Sequence, residues 1–392
     1  MTDGTYIKAD LFDGGPPMRL ERTLGLVEPD EPRVGRRAFF VVLLGWVPLA
    51  VLAVIQVFTS TSQTARSFFS DFAVHARFLI ATPALILAEA DCIPRLGEIA
   101  RHFVDAGLVS DSDSARYERA VASTRRLLDS AAGDALAAAL AYAVVVILMF
   151  YVSTAQLPEW HLRGSGGFPD FSAAGWWHAL VSLPLLLMFF FGWLWRLILW
   201  ARFLVLMAML DLHLIPSHPD HTGGLKFVSS SLRKFRLVSF AMGAVVAGSI
   251  ANQVVHHGQS PLAFKNFAIG LTIFIIIIFA GPLTVFIKRL RETKKRGVFE
   301  YGALAGYLGT QFEIKWLSDA KNLQPATLEV PDFSATTDLY SVAANVYEMR
   351  DVPFSLKDLL WTVAAALIPF LPVFLLAVPF QVIIDSLVKL LL

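Results

Sequence analysis

Three histidines and two aspartates lie within the sixteen residues of LDLHLIPSHPDHTGGL, from Leu210 to Leu225 of a 392-residue chain. Imidazole and carboxylate donors of this kind bind transition metals, and a tight turn would bring three of them together. The candidate ligands for a divalent metal are His213, His218, Asp220 and His221. Histidine also titrates near neutral pH, so the same turn is a candidate gate that responds to protonation.

A purely structural interpretation of the stretch competes with these two. Its two prolines predict that the preceding apolar helix ends near Leu214. Gly223 and Gly224 permit a turn that other residues resist. Asp220 or Thr222 can then cap the helix that follows. This interpretation explains the prolines, the glycines and one acid, but it leaves the histidines without a role.

The composition of the chain is that of an integral membrane protein. Hydrophobic residues make up 56% of the sequence and charged residues only 17%, values that water-soluble domains rarely combine. The 33 basic and 32 acidic residues nearly cancel, so we expect no nucleic-acid partner. The single cysteine, Cys92, excludes an intrachain disulfide. No Walker-type phosphate loop occurs in the sequence, which argues against an ATP-driven pump.

Six stretches are apolar over the roughly 20 residues that a helix needs to cross a bilayer. They are 38–59, 72–93, 134–155, 176–200, 237–256 and 267–287. A seventh element, 358–381, contains three prolines and is compatible with a kinked span, a re-entrant hairpin or an interfacial helix. The fourth apolar run continues to Leu212, so we expect a bend between Arg196 and Arg202. The predicted fold is an all-α polytopic membrane protein with six or seven transmembrane helices and a cytosolic helical cap.

Lysine and arginine predict the orientation, because loops rich in these residues stay in the cytosol. Four segments together hold 26 of them: the tail 1–37, the loops 94–133 and 211–236, and the segment 288–357. The three short loops on the opposite side hold one each. We therefore predict a cytosolic N-terminal tail at 1–37, a six-span membrane domain at 38–287, a cytosolic helical segment at 288–357, and the seventh element with an amphipathic tail at 358–392.

Helical spacing of apolar residues predicts the elements on the cytosolic side. A helix that begins after Asp113 is expected to continue through Gly133 into the third span. Two further helices are predicted over 301–316 and 338–350, with a loop between them. Together they would form the helical cap.

Charged residues within spans are candidates for function, because an unpaired charge is costly there. Glu89 and Asp91 lie near the inner end of the second span, and Arg196 and Arg202 lie near that of the fourth. We expect the arginines to pair with these acids or with Asp211, which would place an ionic cluster beside HPDHTGG. The candidates for gating or transport are His218, Asp220, His221, Arg196, Arg202, Asp211, Glu89 and Asp91.

Polar residues near the predicted external ends of the spans give weaker signals. Arg77 is expected to extend outward to the interface. Asn252 and Gln253 are candidates to line a path on this side. The histidines there are interpreted as surface residues, with an external metal site as the alternative: His161, His178, His256 and His257.

Small residues recur every four positions in the fifth span, at Gly243, Ala247 and Ala251 and again at Ala244 and Gly248. This spacing lets helix backbones approach closely. It predicts tight packing within the bundle, a pore lining, or a contact between subunits of a homo-oligomer.

The pattern LxLxPxHPDxxGGL follows an apolar helix rich in arginine and tryptophan, and YGxLA and KWL follow further along. The residues concerned are Leu212, Leu214, Pro216, His218, Pro219, Asp220, Gly223, Gly224, Leu225, Tyr301, Gly302, Leu304, Ala305, Lys315, Trp316 and Leu317. Over roughly residues 190–320 the chain resembles a family of bacterial polytopic inner-membrane proteins that carries an HPDxxGGL motif. The resemblance implies a bacterial inner (cytoplasmic) membrane and a membrane fold, and it implies no activity.

HPDH also resembles part of the HxHxDH motif of the metallo-β-lactamase superfamily. His218, Asp220 and His221 match three of the four metal-ligand positions of that motif, and Pro216 stands where its first histidine belongs. The resemblance covers six residues.

Three functions follow as hypotheses. The leading one is a channel or transporter for an ion or small solute. The sequence predicts membrane spans and a helical cap but no independent soluble domain, and ionisable groups are predicted to converge near the cytosolic ends of the spans. The second is a membrane-embedded enzyme that uses the His/Asp turn with a divalent metal. The third is a scaffold or sensor without catalysis. The expected partners are the lipid bilayer, a small ion or solute, and further copies of the chain.

Overall fold

The computed structural model describes residues 11–23, 25, 34–59, 63–151, 157–163, 171–317 and 332–377. Within these ranges the chain is helical and forms no β-strand. Six helical runs are long and apolar enough to cross a membrane, which confirms the predicted all-α polytopic fold. These spans are Val34–Phe58, Phe72–Asp105, Ala131–Tyr151, Ala173–Ala208, Lys226–His257 and Pro261–Trp316.

The spans are built from shorter helices joined without long loops. The first half of the chain contains α1 (Met18–Thr23), α2 (Val34–Gly45), α3 (Val47–Thr59), α4 (Gln63–Phe69), α5 (Phe72–His75), α6 (Thr82–Asp105), α7 (Ser114–Leu128), α8 (Ala131–Tyr151), α9 (Ala173–Trp177) and α10 (Leu183–Ala208). The second half contains α11 (Ser230–Lys234), α12 (Arg236–His257), α13 (Lys265–Ile275), α14 (Ile287–Trp316), α15 (Asp332–Tyr347), α16 (Leu356–Leu367) and α17 (Phe370–Ala377).

Three of the spans contain a π-helical segment, at Ala76–Ala81, His178–Ser182 and Ile276–Ala280. A π-helical turn widens the helix by one residue and changes the direction in which its side chains point. The first segment joins α5 to α6, and the second joins α9 to α10. Both spans therefore continue as single helical rods across the bundle.

The fourth span differs from the prediction at its inner end. The helix α10 continues without a break from Leu183 through Arg196 and Arg202 to Ala208, so no interruption of the helix marks the position of the expected bend. The apolar extension instead packs inside the protein, where Phe203 and Met207 are buried. The helix also ends before Leu214, the predicted end.

The predicted continuous stalk from α7 into the third span is also wrong. The helix breaks at Asp129 and Ser130, and α8 begins at Ala131. The hydroxyl of Ser130 donates to the carbonyl of Leu127 and accepts from the N–H of Gly133. A single serine thus satisfies backbone groups on both sides of the break.

Small residues in α12 serve contacts within the chain. A Cβ atom added at Gly243 would collide with the carbonyl of Ala366 in α16, and one added at Gly248 would collide with the side chain of Ala76. The predicted close packing therefore joins α12 to the second span and to the seventh element. A homo-oligomer stays a prediction.

The seventh element breaks into α16 and α17 at the turn formed by Ile368 and Pro369. The hydroxyl of Thr362 donates to the carbonyl of Leu232 in α11, just before α12. Phe370 and Val373 share a buried cluster with residues such as Val254 near its other end. The two short helices thus follow α12 across the bundle, which favours the kinked span over the other two predictions. Residues 378–381 lie outside the described part of the chain.

The helical cap consists of α14 and α15, which pack against each other. The helix predicted over 301–316 is the second half of α14, which continues directly from the sixth span. The helix predicted over 338–350 begins earlier, at Asp332, whose carboxylate is paired with Lys315.

The segment 11–23 of the predicted tail packs into the bundle. Phe12 is buried against Trp200 and Phe203. A side chain at Gly192 would collide with the backbone of Pro16. The absence of a side chain at this position of α10 therefore lets the segment 11–23 pack at the predicted inner end of the bundle.

Candidate functional site

Asp220 organises the turn that contains HPDHTGG. Its carboxylate accepts backbone hydrogen bonds from Thr222 at 2.8 Å, Gly224 at 3.1 Å and Lys226 at 3.0 Å. Burial raises the pKa of a carboxyl group, but the three N–H donors outweigh it here and lower the pKa of Asp220. The carboxylate is therefore a structural acceptor that caps the start of the fifth span, as the structural interpretation expected.

The histidines of this turn point to different neighbours. Nδ1 of His218 lies 2.8 Å from Oδ1 of Asp220. His221 adopts a left-handed backbone conformation with φ of 55°, and its carbonyl accepts from the N–H of Arg350 at 2.7 Å. His213 is exposed beside an isolated bridge between Leu212 and Val109. In the described part of the chain no three residues of the His, Cys, Asp or Glu types form a group that could hold a metal ion. The four predicted ligands are thus not gathered.

A buried ionic cluster lies deeper in the bundle, near the predicted inner end. Arg37 pairs with Glu21 and with Glu89, the latter at 2.5 Å. Arg196 lies 3.0 Å from the other oxygen of Glu89 and donates to the carbonyl of Gly14 at 2.9 Å. We call Glu21, Arg37, Glu89 and Arg196 the Glu89 cluster.

The Glu89 cluster balances two carboxylates against two guanidinium groups. Each of its side chains is at most 6% exposed, so the pairing offsets the cost of removing four charges from water. Burial is the main reason that the pKa of Glu21 is raised, and Glu89 raises it further, while Arg37 and Arg196 lower it. The cluster fastens the segment 11–23 to three spans.

The remaining predicted members lie elsewhere. Asp91 pairs with Lys234 at 2.5 Å, and Arg202 donates to the hydroxyls of Ser123 and Thr124. Asp211 is exposed and lies 3.8 Å from Arg289. Of the predicted pairings, the structure brings together Glu89 and Arg196.

Sequence reasoning missed Glu21 and Arg37 as members of the cluster. Arg37 was assigned to the tail, although it stands within the first helical turn of the first span. Glu21 lies in a polar stretch with no local pattern that marks burial.

A second polar site lies at the opposite end, which is the predicted external end. There a cavity of about 760 Å³ lies between the second, third, fourth and fifth spans and the loop 157–163. Its rim carries exposed Arg66, Glu159 and His256. Arg77 and His178 line it from the two π-helical segments. Such segments occur often at functional sites, and we call this space the Arg77 cavity.

Asp71 anchors one wall of the Arg77 cavity. One carboxylate oxygen accepts from the side chain of Asn252 at 2.8 Å and the N–H of Val74 at 3.1 Å, and the other accepts from the indole of Trp160 at 3.0 Å. Asp71 is buried, and these three donors satisfy both oxygens. Sequence reasoning missed it, although its position before α5 is a helix cap signal.

His161 and His178 form a buried pair in the cavity wall. Nε2 of His161 lies 3.3 Å from Nδ1 of His178. Burial lowers the pKa of His161 to about 4, so this ring is neutral at neutral pH. The outer nitrogens of the pair, Nδ1 of His161 and Nε2 of His178, have no hydrogen-bond partner among the described residues. The prediction that these histidines are surface residues does not match their burial.

Buried apolar side chains separate the Arg77 cavity from the Glu89 cluster. Phe78 follows Arg77 in the second span, and its ring contacts the ring of His178 edge to face. Further along the fourth span, Phe189 and Trp193 are buried before Arg196 is reached. The two polar sites are therefore at opposite ends of the same two helical rods, with a dry layer between them.

Comparison of the chain with protein-family models, with curated proteins and with solved structures gives no match. Membership of the HPDxxGGL family stays a prediction.

Proposed function

We propose that this protein is a transporter for a small solute in a bacterial inner membrane, with its N-terminal tail in the cytosol. One observation carries the proposal: a cavity lined by charged, imidazole and apolar side chains enters the six-span bundle from one end and stops at a layer of buried apolar side chains. The volume of about 760 Å³ lies within the range of small-molecule sites. Ligand sites of transporters commonly lie within the bundle where helices depart from regular geometry, and Arg77 and His178 stand on π-helical segments.

A transporter is favoured over an open channel because the inner end is closed. Phe78 and Trp193 fill the space below the cavity, and the Glu89 cluster binds the segment 11–23 across the exit. A solute in the Arg77 cavity therefore reaches the other side only after a conformational change. This arrangement corresponds to the outward-facing state of an alternating-access cycle.

Solute flux through purified protein in liposomes tests the proposal. We would load vesicles with a panel of small solutes (acetate, hexanoate, choline and glycerol) and follow osmotic shrinkage and swelling by stopped-flow light scattering. We expect faster flux of at least one solute than in protein-free vesicles. Ala179→Trp, which fills the cavity, should abolish that increase, whereas Ala303→Trp on the exposed face of α14 should not. Equal flux in all preparations for every solute would contradict the proposal.

Topology tests the orientation separately. Reporter fusions after residue 25 and after residue 317 should report the cytosol, and an insertion at Gly258 should report the external side. The reverse pattern would place the Arg77 cavity in the cytosol and would contradict the proposed direction of access.

A further inference from the structure

Most hydrogen-bond donors of Arg77 have no acceptor among the described residues of the Arg77 cavity. A guanidinium group carries five N–H donors. Among the described residues Arg77 makes a single hydrogen bond, a long one of 3.3 Å to the hydroxyl of Ser249. The other donors are available to a molecule that enters the cavity. The planar fork of arginine matches a carboxylate, which it binds through two parallel hydrogen bonds.

Asp71 lines the same cavity but makes no direct contact with Arg77. Asp71 accepts hydrogen bonds from Asn252, Trp160 and the backbone of Val74. Its charge acts on Arg77 from a distance, but the two side chains form no direct contact. Glu159 is the other acid of the lining, and its side chain is exposed. Among the described residues, therefore, no carboxylate is in hydrogen-bond or ion-pair contact with the guanidinium of Arg77.

His178 gives a second and independent indication of a ligand. The residue is 7% exposed and lines the cavity, and its Nε2 atom has no partner among the described residues. A buried polar atom without a partner is costly unless something else binds it. Its Nδ1 atom is engaged with His161. Nε2 is thus free to make a hydrogen bond to a molecule held at Arg77.

Part of the cavity lining is apolar. It is formed by Val145, Leu148 and Met149 of α8 and by Ala179 and Leu183 of the fourth span. An inorganic anion would bind to the arginine but would leave these apolar side chains in contact with water. A hydrocarbon body attached to the anionic group would cover them and add burial of apolar surface.

We infer that the Arg77 cavity binds a small organic monocarboxylate, whose carboxylate lies on the guanidinium of Arg77 beside Nε2 of His178 and whose hydrocarbon body lies against Val145 and Leu148. This inference rests on the proposed function, for which it names the substrate class. A water-soluble acid from outside and a membrane fatty acid share this chemistry, and they differ in chain length.

Calorimetric titration of the full chain in detergent tests the inference with sodium hexanoate, sodium palmitate, hexylammonium chloride and sodium sulfate as probes. Hexanoate should bind at least tenfold more tightly than hexylammonium or sulfate. Tighter binding of palmitate than of hexanoate would identify a membrane fatty acid as the source. Equal or tighter binding of sulfate or hexylammonium would overturn the inference.

Matched variants locate the binding. Arg77→Gln should weaken hexanoate binding at least tenfold, and Arg66→Gln on the exposed rim should leave it within threefold. Leu148→Asn should weaken hexanoate binding more than acetate binding, because Leu148 belongs to the apolar part of the lining. Thermal unfolding of each variant identifies any that fails to fold. Unchanged binding in folded Arg77→Gln and Leu148→Asn would overturn the inference.

The two proposals fail in different ways. Hexanoate binding without flux of any solute would contradict the transporter and leave the carboxylate site in place. Flux of glycerol or choline that Ala179→Trp blocks, without carboxylate binding, would support the transporter and overturn the carboxylate site.

Discussion

Asp220 and Asp211 occupy the same sixteen residues, and the structure gives them unlike environments. Asp220 accepts three backbone hydrogen bonds and its side chain is 13% exposed, whereas that of Asp211 is 91% exposed. Prolines, glycines and a capping acid specify this turn through local chemistry, and for that reason the sequence predicts it well. The contacts of His213 and His221 depend on residues elsewhere in the fold, so no local sequence pattern predicts them.

Asp220→Asn should destabilise the protein by about 2 kcal/mol at pH 7, since hydrogen bonds to a charged acceptor are worth more than those to an amide. The pKa of Asp220 is lower in the folded than in the unfolded state. Its contribution is therefore complete above the unfolded pKa of about 4 and is lost as the pH falls through the folded pKa. Thermal unfolding should show a difference between wild type and variant that disappears at strongly acidic pH.

Asp211→Asn is the control for this prediction, and it should leave the melting temperature unchanged. A difference between Asp220→Asn and wild type that persists unchanged into strong acid would show that the carboxylate charge is not what stabilises the turn.

The longer the run of apolar residues, the more reliably the sequence predicts the helix that contains it. The six spans follow from runs of about 20 apolar residues, and the structure confirms them. The break at Asp129 and Ser130 and the unbroken course of α10 depend on one or two residues and on tertiary packing. A hydrophobicity pattern does not resolve such features.

The docked segment 11–23 depends on a single glycine in α10. Gly192→Ala should displace this segment, because a Cβ atom would collide with the backbone of Pro16. We expect amide hydrogen exchange in residues 14–23 to become at least tenfold faster, with a lower melting temperature. Gly270→Ala is the control, since a Cβ atom there meets nothing within 4 Å. Unchanged exchange in Gly192→Ala would contradict the described packing.

The site was predictable in part, and the limits follow from how its residues are brought together. Two charged residues near the same ends of two spans, Glu89 and Arg196, predict a pair from topology alone. Glu21 joins them from a polar segment 68 residues earlier in the chain, and only tertiary structure shows that contact. Asp71, His161 and His178 are likewise assembled from a helix cap, a loop and a π-helical turn.

At the scale of the whole molecule, two helical spans connect the two polar sites. Arg77 and Glu89 stand in one continuous span, about 18 Å apart along the axis at 1.5 Å per residue, and His178 and Arg196 stand in another. A movement that opens the inner end must release the segment 11–23 from the Glu89 cluster. Glu89→Gln leaves Arg196 without its carboxylate partner, and removal of one partner from a buried pair costs about 3–5 kcal/mol.

Glu89→Gln should therefore shift the population toward states with the inner end open, seen as faster hydrogen exchange in residues 14–23. A ligand that binds the outward-facing cavity favours the state it fits and reverses such a shift. Saturating hexanoate should thus slow this exchange in Glu89→Gln. Asp91→Asn is the control: it removes an exposed ion pair with Lys234, and its exchange should match that of the wild type. If exchange is faster in Glu89→Gln and hexanoate does not slow it, the cluster only stabilises the fold. In that case the segment 11–23 unfolds locally, and a ligand bound at the other end of the bundle does not stabilise it.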